Sequence, residues 1–316
     1  SSCVLYRQPH AIPRFLALCM LHAIVLEKWC LKRALATGLR FSGTEALQLL
    51  PKKERALING KTLAKYNEVV RNCAREKRWQ AAVFLLDQVV ARNLKPDVVT
   101  YTSAGVGCKN AHKWQRALWI FGAMKHEVLP DAVAYGMAIG ACEKGLLWEG
   151  SLFLLSDMLH QSVAPNAFTY SATMSACNRA TRWLCSLQLF KTLPSRKAVD
   201  SFVCNAAITA CEKGRQWRDA LHVLINMEAL SIRSDRVSFN ATISACDKAH
   251  AWDHALHLLY GMRAARCSPE LVTYNATMSA LGRAHQWKLA VGLLRSMPKS
   301  VEPDVVTYSV LIEALG

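Results

Sequence analysis

The chain has 316 residues, of which 52% are hydrophobic, 20% charged and 8% aromatic, and its formal net charge is +16. This apolar content excludes a wholly disordered chain, and no apolar run reaches the roughly 18 residues that a membrane-spanning helix needs. The basic excess suits a polyanionic partner, nucleic acid or an anionic membrane surface, without choosing between them.

Residues 1–62 do not share the organisation of the rest of the chain. Within residues 1–43, six basic residues face a single acid, Glu27, and an apolar run from Phe15 to Leu26 lies between Arg14 and Lys28. Ser42 and Glu45 have the spacing of a capping box, which predicts a short helix ending before Pro51. The segment reads as a targeting remnant or as divergent helices that cap the first repeat.

From residue 63 onward the chain is periodic. Trp79, Trp114, Trp148, Trp183, Trp217, Trp252 and Trp287 succeed one another at steps of 34 or 35 residues. Six positions before each stand Cys73, Cys108, Cys142, Cys177, Cys211, Cys246 and then Leu281. Three positions after each is a small residue, Ala82, Ala117, Ser151, Ser186, Ala220, Ala255 or Ala290. Seven units cover 63–304, and an eighth begins at Val305 and occupies 305–316. Within a unit, Tyr135, Ile139 and Cys142 share one helical stripe. Trp217, Ala220, Leu221, Leu224 and Met227 form another, after the polar turn at Glu212–Gln216. Pro96-Asp97, Pro130-Asp131 and Pro303-Asp304 end one helix and cap the next. A single such hairpin cannot bury its apolar stripes, whereas stacked neighbours can. The predicted fold is therefore all-α, an α-solenoid or superhelix of stacked two-helix hairpins. The Trp and Cys ladders read as core packing, and twelve cysteines without a C-x-x-C pair read as free thiols.

The unit that opens Leu271-Val272-Thr273-Tyr274-Asn275 and closes Glu302-Pro303-Asp304 resembles the pentatricopeptide repeat, as do Val98-Val99-Thr100-Tyr101-Thr102 and Val305-Val306-Thr307-Tyr308-Ser309. The resemblance covers about three quarters of the chain. It implies single-stranded RNA as partner, with the residue after Tyr and the last residue of the unit selecting one base together. The first of these positions holds Asn67, Thr102, Gly136, Ser171, Asn205, Asn240, Asn275 and Ser309. The second holds Asp97, Asp131, Asn166, Asp200, Asp235, Glu270 and Asp304, where helix capping is an equal claim. Carried over, Asn67/Asp97, Asn205/Asp235 and Asn275/Asp304 imply uracil, and Thr102/Asp131 and Ser171/Asp200 imply guanine. Gly136/Asn166 and Asn240/Glu270 depart from the usual pairs and imply no base.

Two further rows fall on the same helical face. Ala64, Val99, Val133, Phe168, Phe202, Val237, Val272 and Val306 lie three residues before the polar row and suit the flat faces of bases. Eleven residues beyond them come Arg75, Asn110, Lys144, Arg179, Lys213, Lys248 and Arg283. The cations Arg75, Lys144, Arg179, Lys213, Lys248 and Arg283 suit phosphates, or simply a solvated turn.

No signature of catalysis appears. His250, His254 and His257 have metal-like spacing, but they align with repeat positions occupied elsewhere by His112, His285 and His222. Neither a Walker loop, a G-x-S-x-G nor an H-E-x-x-H is present. The sequence thus reads as a non-enzymatic RNA-binding array that works without cofactor, small-molecule substrate or membrane span, with protein partners possible. By resemblance it serves RNA processing, stability or translation in a mitochondrion or plastid. A tetratricopeptide-like protein scaffold and the RNA-binding arm of a larger processing enzyme are the alternatives.

Overall fold

The computed structural model describes residues 62–193, 199–298 and 301–315. The two readings of residues 1–62 therefore lie outside the described residues, apart from Thr62. Fifteen helices and no strand occur among the described residues. The first helices of successive repeats are α1 (Leu63–Arg75), α3 (Val98–Asn110), α5 (Ala132–Lys144), α7 (Ala167–Arg179), α9 (Ser201–Lys213), α11 (Arg236–Lys248), α13 (Leu271–Arg283) and α15 (Val305–Leu315). The second helices are α2 (Trp79–Ala91), α4 (Trp114–Glu127), α6 (Trp148–His160), α8 (Trp183–Lys191), α10 (Trp217–Ala229), α12 (Trp252–Ala264) and α14 (Trp287–Arg295).

The fold is an all-α repeat solenoid, and its described residues divide into two compact units, 62–180 and 181–315. In the first, α1, α3, α5 and α7 stack on one another in order, and α2, α4 and α6 each pack between two of them. The second repeats the scheme with α9, α11, α13 and α15 stacked and the second helices alongside. The predicted stripes are the interior: Tyr135, Ile139, Cys142, Met174, Ile208, Cys211, Ile243, Cys246 and Met278 are buried. Small residues set how closely the helices approach. A Cβ on Gly107 of α3 would lie 3.2 Å from the Ala74 Cα of α1.

Six of the first helices end in the same way. The amide of the residue before Trp bonds back to the carbonyl of the Cys-ladder residue: Arg78 to Cys73, Lys113 to Cys108, Leu147 to Cys142, Gln216 to Cys211, Ala251 to Cys246 and Gln286 to Leu281, all at 2.8–2.9 Å. Together with a left-handed residue at the turn (Lys77, His112, Leu146, Arg215, His250 or His285, φ 54–58°), this is a Schellman ending. Four second helices end similarly, with Leu94 on Val89, Val163 on Met158, Ile232 on Met227 and Cys267 on Met262, whereas α4 runs into an extended Val128. The His250 of the apparent metal triplet is thus a turn residue. Among the described residues no His, Cys, Asp and Glu cluster has the geometry to hold a metal, and no helix is long and apolar enough to cross a membrane.

The Trp ladder departs from the expectation of core packing. The indoles of α2 to α12 are only half-buried, and Trp287 is 46% exposed. Those of Trp79, Trp114 and Trp183 lie against the turn of the following repeat. A Cβ on Gly145 would fall 2.7 Å from the Trp114 ring, and one on Gly214 would fall 2.6 Å from the Trp183 ring. Lys113 sits 5.9 Å over the Trp79 ring, and the His254 ring lies 4.4 Å from that of Trp217. The indole is too wide for the stripe already filled by Tyr and Cys, so it seals the edge between neighbouring hairpins.

The Cys ladder does behave as core. All nine described cysteines are free thiols, and burial pushes Cys108, Cys204, Cys211 and Cys246 up to about 12. Because the thiolate is the reactive form, these four should resist iodoacetamide in the folded chain. The half-buried Cys185 should be alkylated first of the nine, and all should react in urea. Peptide mapping by mass spectrometry after timed labelling checks this order.

Candidate nucleic-acid interface

The N-terminal ends of six first helices, α3, α5, α7, α9, α11 and α15, are capped by the last residue of the repeat before. The Thr100 amide donates to Asp97 at 2.8 Å, Ala134 to Asp131 at 2.8 Å and Thr169 to Asn166 at 3.0 Å. Val203 donates to Asp200 at 2.9 Å, Ser238 to Asp235 at 2.9 Å and Thr307 to Asp304 at 2.8 Å. These are N-caps, each worth about 1 kcal/mol to its helix.

Three of the caps reach back to the preceding first helix as well. The Asn67 amide nitrogen lies 3.1 and 3.2 Å from the Asp97 carboxylate oxygens. Asn205 lies 3.3 and 3.4 Å from those of Asp235, and Asn275 lies 3.3 Å from Asp304 Oδ1. A hydroxyl closes each triangle. Thr100 Oγ1 is 2.5 Å from Asn67 Oδ1 and 2.7 Å from Asp97 Oδ1. Ser238 Oγ is 2.6 Å from Asn205 Oδ1 and 2.9 Å from Asp235 Oδ1, and Thr307 Oγ1 repeats the contact at 2.7 and 2.8 Å. Turning any of these amides over would set its oxygen against a carboxylate. The network therefore fixes the nitrogen towards Asp and leaves its second N–H to donate elsewhere.

Burial acts to raise the Asp97 carboxyl, but the Thr100 hydroxyl and amide and the Asn67 amide outweigh it and hold the group below its ordinary value. Asp235 is likewise lowered, with burial opposed by the Ser238 amide and hydroxyl and by Asn205. Asp304 is lowered chiefly by the Thr307 amide, then by its hydroxyl. All three are ionised acceptors at neutral pH.

The other positions of the row differ from one another. Ser171 Oγ donates to the Phe168 carbonyl at 3.1 Å, and Ser309 Oγ to that of Val305 at 2.8 Å, so their lone pairs are free to accept. Ser171 belongs to the first compact unit and Asp200 to the second. Thr102 is only 8% exposed, and its hydroxyl has no partner among the described residues. At Gly136 a Cβ would meet the Phe168 ring at 3.1 and 3.2 Å, so that ring covers the place of a side chain. Asn240 Oδ1 accepts from Thr273 at 2.7 Å, while its nitrogen has no partner among the described residues.

The apolar row is exposed throughout: Ala64, Val99, Val133, Phe168, Phe202, Val237, Val272 and Val306 all face solvent, Phe202 at 72%. Apolar side chains left open in register on successive helices form a surface for flat apolar partners. The cation row occupies the last position of six first helices, where the helix dipole favours positive charge, while α3 ends in Asn110. It divides in two. Lys248 pairs with Glu212 at 2.7 Å, Arg283 with Asp247 at 3.6 Å and Arg179 with Glu143 at 3.9 Å, each reaching an acid 36 residues earlier. Arg75, Lys144 and Lys213 are exposed and make no ion pair among the described residues.

Sequence reasoning missed both the hydroxyl clamp and this ladder of acids. The signal for the clamp was available. Asn67, Asn205, Asn240 and Asn275 are each matched in the next repeat by Thr100, Ser238, Thr273 and Thr307, whereas Thr102 and Ser171 are matched by Ala134 and Val203.

The comparisons agree with this architecture. A model described as the PPR repeat family matches residues 269–316, and one described as the pentatricopeptide repeat domain matches 84–144 and 222–284. No curated protein matches the sequence. Among solved structures, the pentatricopeptide repeat protein PPR10 in complex with an 18-nt psaJ RNA element aligns with a TM-score of 0.53 at 24% identity, over 96% of this chain and 48% of that one. A crystal structure of the pentatricopeptide repeat protein PPR10 from maize aligns with a TM-score of 0.49 at 21% identity, over 96% and 44%. The chain thus spans about half the length of these proteins. With a 34- to 35-residue period, stacked hairpins and matches to the repeat model at three places, the chain belongs to the pentatricopeptide repeat family.

Proposed function

We propose that the array binds single-stranded RNA along the N-terminal ends of its first helices, one base per repeat. The observation that carries the reading is the clamped amide. Asn205 and Asn275 each hold one N–H outward beside an ionised carboxylate, and Asn67 makes the same pairing with Asp97 while buried. That pairing matches the edge of uracil, whose carbonyl accepts and whose N3–H donates. A cytosine would bring its N3 lone pair against the carboxylate. Ser171 presents lone pairs instead, which suit the N1–H and amino donors of guanine. Thr102 is assigned guanine on the family pattern, and its buried hydroxyl requires the side chains over it to move aside. Gly136 offers no reading group, so its repeat takes any base on the Phe168 ring. With RNA running 5′ to 3′ along the chain, the site is U-G-x-G-U-x-U. The role is one of occupancy, shielding or remodelling a transcript or positioning another factor, in a mitochondrion or plastid.

Selection of bound RNAs from a random pool tests this directly, and enrichment of that heptamer is expected. An array that ignored RNA at low salt while holding a polypeptide would overturn it. Asn205→Ser should move the fifth position from uracil towards guanine, read by gel-shift titration of U and G probes.

The clamp supplies a second expectation. Ser238→Ala removes the hydroxyl that orients Asn205 but keeps the amide and Asp235. The preference for uracil over cytosine at the fifth position should fall several-fold, with circular dichroism and thermal unfolding nearly unchanged, since a lost hydrogen bond costs about 1 kcal/mol.

Charge contacts give a third. Lys144 and Lys213 are free to neutralise phosphate, so the Lys144→Ala/Lys213→Ala pair should flatten the slope of log K against log salt by about 1.4, at roughly 0.7 per phosphate. Lys248→Ala should change the slope less, because Glu212 already holds that ammonium.

A further inference from the structure

The sixth repeat departs from its neighbours at two places that meet in space. In the row of first residues, Leu63, Val98, Ala132, Ala167, Ser201, Arg236, Leu271 and Val305, only Arg236 is charged. In the row of last residues only Glu270 is a glutamate. The two side chains form an ion pair, Arg236 from the start of α11 and Glu270 from the residue before α13. Arg236 and Asn240 are four residues apart on α11 and hence share a face. The extra methylene of glutamate carries its carboxylate to Arg236. No hydrogen bond joins it to Asn240, although the aspartates of the first, fifth and seventh repeats all bond their asparagines. Thr273 still clamps the Asn240 oxygen, so the amide presents its nitrogen with both N–H groups unpartnered among the described residues.

From this geometry we propose that Arg236 sets the base specificity of the sixth repeat by drawing Glu270 away from Asn240, so that this position admits cytosine alongside uracil. The inference rests on the base-reading function proposed above. Where a carboxylate stands beside the amide, it accepts the N3–H of uracil and repels the N3 lone pair of cytosine. In the sixth repeat the guanidinium neutralises and withdraws that charge. The free amide N–H groups can then donate to the uracil O4 carbonyl or to the cytosine N3 with little distinction. Both side chains of the pair are about half exposed, 54% and 51%, so its influence is modest and measured in single-digit fold-changes.

The test uses the full chain and fluorescence anisotropy with heptamers U-G-A-G-U-Y-U, in which Y is U or C, and a control pair that varies the fifth base instead. The unaltered chain should bind the two sixth-position probes within about twofold, while U→C at the fifth position costs about tenfold. Arg236→Gln should shift the sixth position towards uracil by about three- to fivefold. Glu270→Asp, which restores the length found in the other repeats, should shift it in the same direction. Neither should alter the ratio at the fifth position. Loss of the Arg236 charge from general RNA attraction would weaken all probes alike and leave the ratios untouched. A uracil preference at the sixth position already as steep as at the fifth would overturn the proposal. So would variants that leave the sixth ratio unmoved while the fifth still discriminates. Failure of the fifth position itself to discriminate would overturn the base-reading function, and this inference with it.

Discussion

A hairpin of about 34 residues has two apolar stripes and no partner for either within itself, and stacking is the only way to bury them. The consequence reaches beyond stability. Because the apolar stripes of α1 to α13 point into the stack, the remaining face of each first helix is fixed for the whole row of repeats. Residue 2 of each unit then looks outwards, residue 5 lies beside it, buried as Asn67, Thr102 and Gly136 but open in part from Ser171 onwards, and the last residue of the unit sits at the next N-terminus. The exposed valines and phenylalanines and the asparagine amides occupy those places because Tyr66, Tyr135 and Tyr274 are fully buried on the other side of the same turn.

The two ends of a first helix carry different physics. At the N-terminal end, Asp97, Asp235 and Asp304 each satisfy orphan amides of the helix they begin while orienting an amide on the helix before. One carboxylate therefore serves capping and orientation at once, so the two roles that the sequence pattern allows are not in competition. At the C-terminal end nothing as exact is required. Schellman turns close the helix, and a cation stands there because the dipole favours it. Whether that cation is available to a phosphate depends on the residue one position earlier in the preceding repeat. Glu143, Glu212 and Asp247 occupy Arg179, Lys248 and Arg283, while Lys144 and Lys213 are left free.

Much of this was legible in the amino-acid order, and the part that was not has definite causes. The period, the helix pair and the buried Cys ladder come from spacing, since apolar residues at i, i+4 and i+7 leave little choice. The Trp ladder has the same regularity but a different fate. Spacing reveals that a residue recurs, not whether its ring fits inside, and the indoles of Trp114 and Trp183 lie over Gly145 and Gly214 of the next turn. The clamp by Thr100, Ser238 and Thr307 links residues 32 or 33 positions apart. Within a single repeat those residues look like ordinary β-branched or small fillers of a V-T-Y motif. Their meaning emerges only when each repeat is read against the one before it.

That dependence between neighbours limits how far the array is a sum of independent parts. Under the proposed function a base stacked on one unit contributes about 1–3 kcal/mol, so seven units acting independently would multiply their preferences. Yet the group that orients Asn67 comes from α3, and the group that orients Asn205 comes from α11. Contacts that share a network are not additive. Replacing one whole repeat changes the cap and clamp of its predecessor together with its own reading residue. The smallest exchangeable element is accordingly not the 34- or 35-residue hairpin but a segment running from one asparagine to the hydroxyl three residues into the next first helix. Within that segment the Asn, Asp and Thr or Ser form one hydrogen-bonded group, and the proposed base specificity belongs to the group rather than to any one of its side chains.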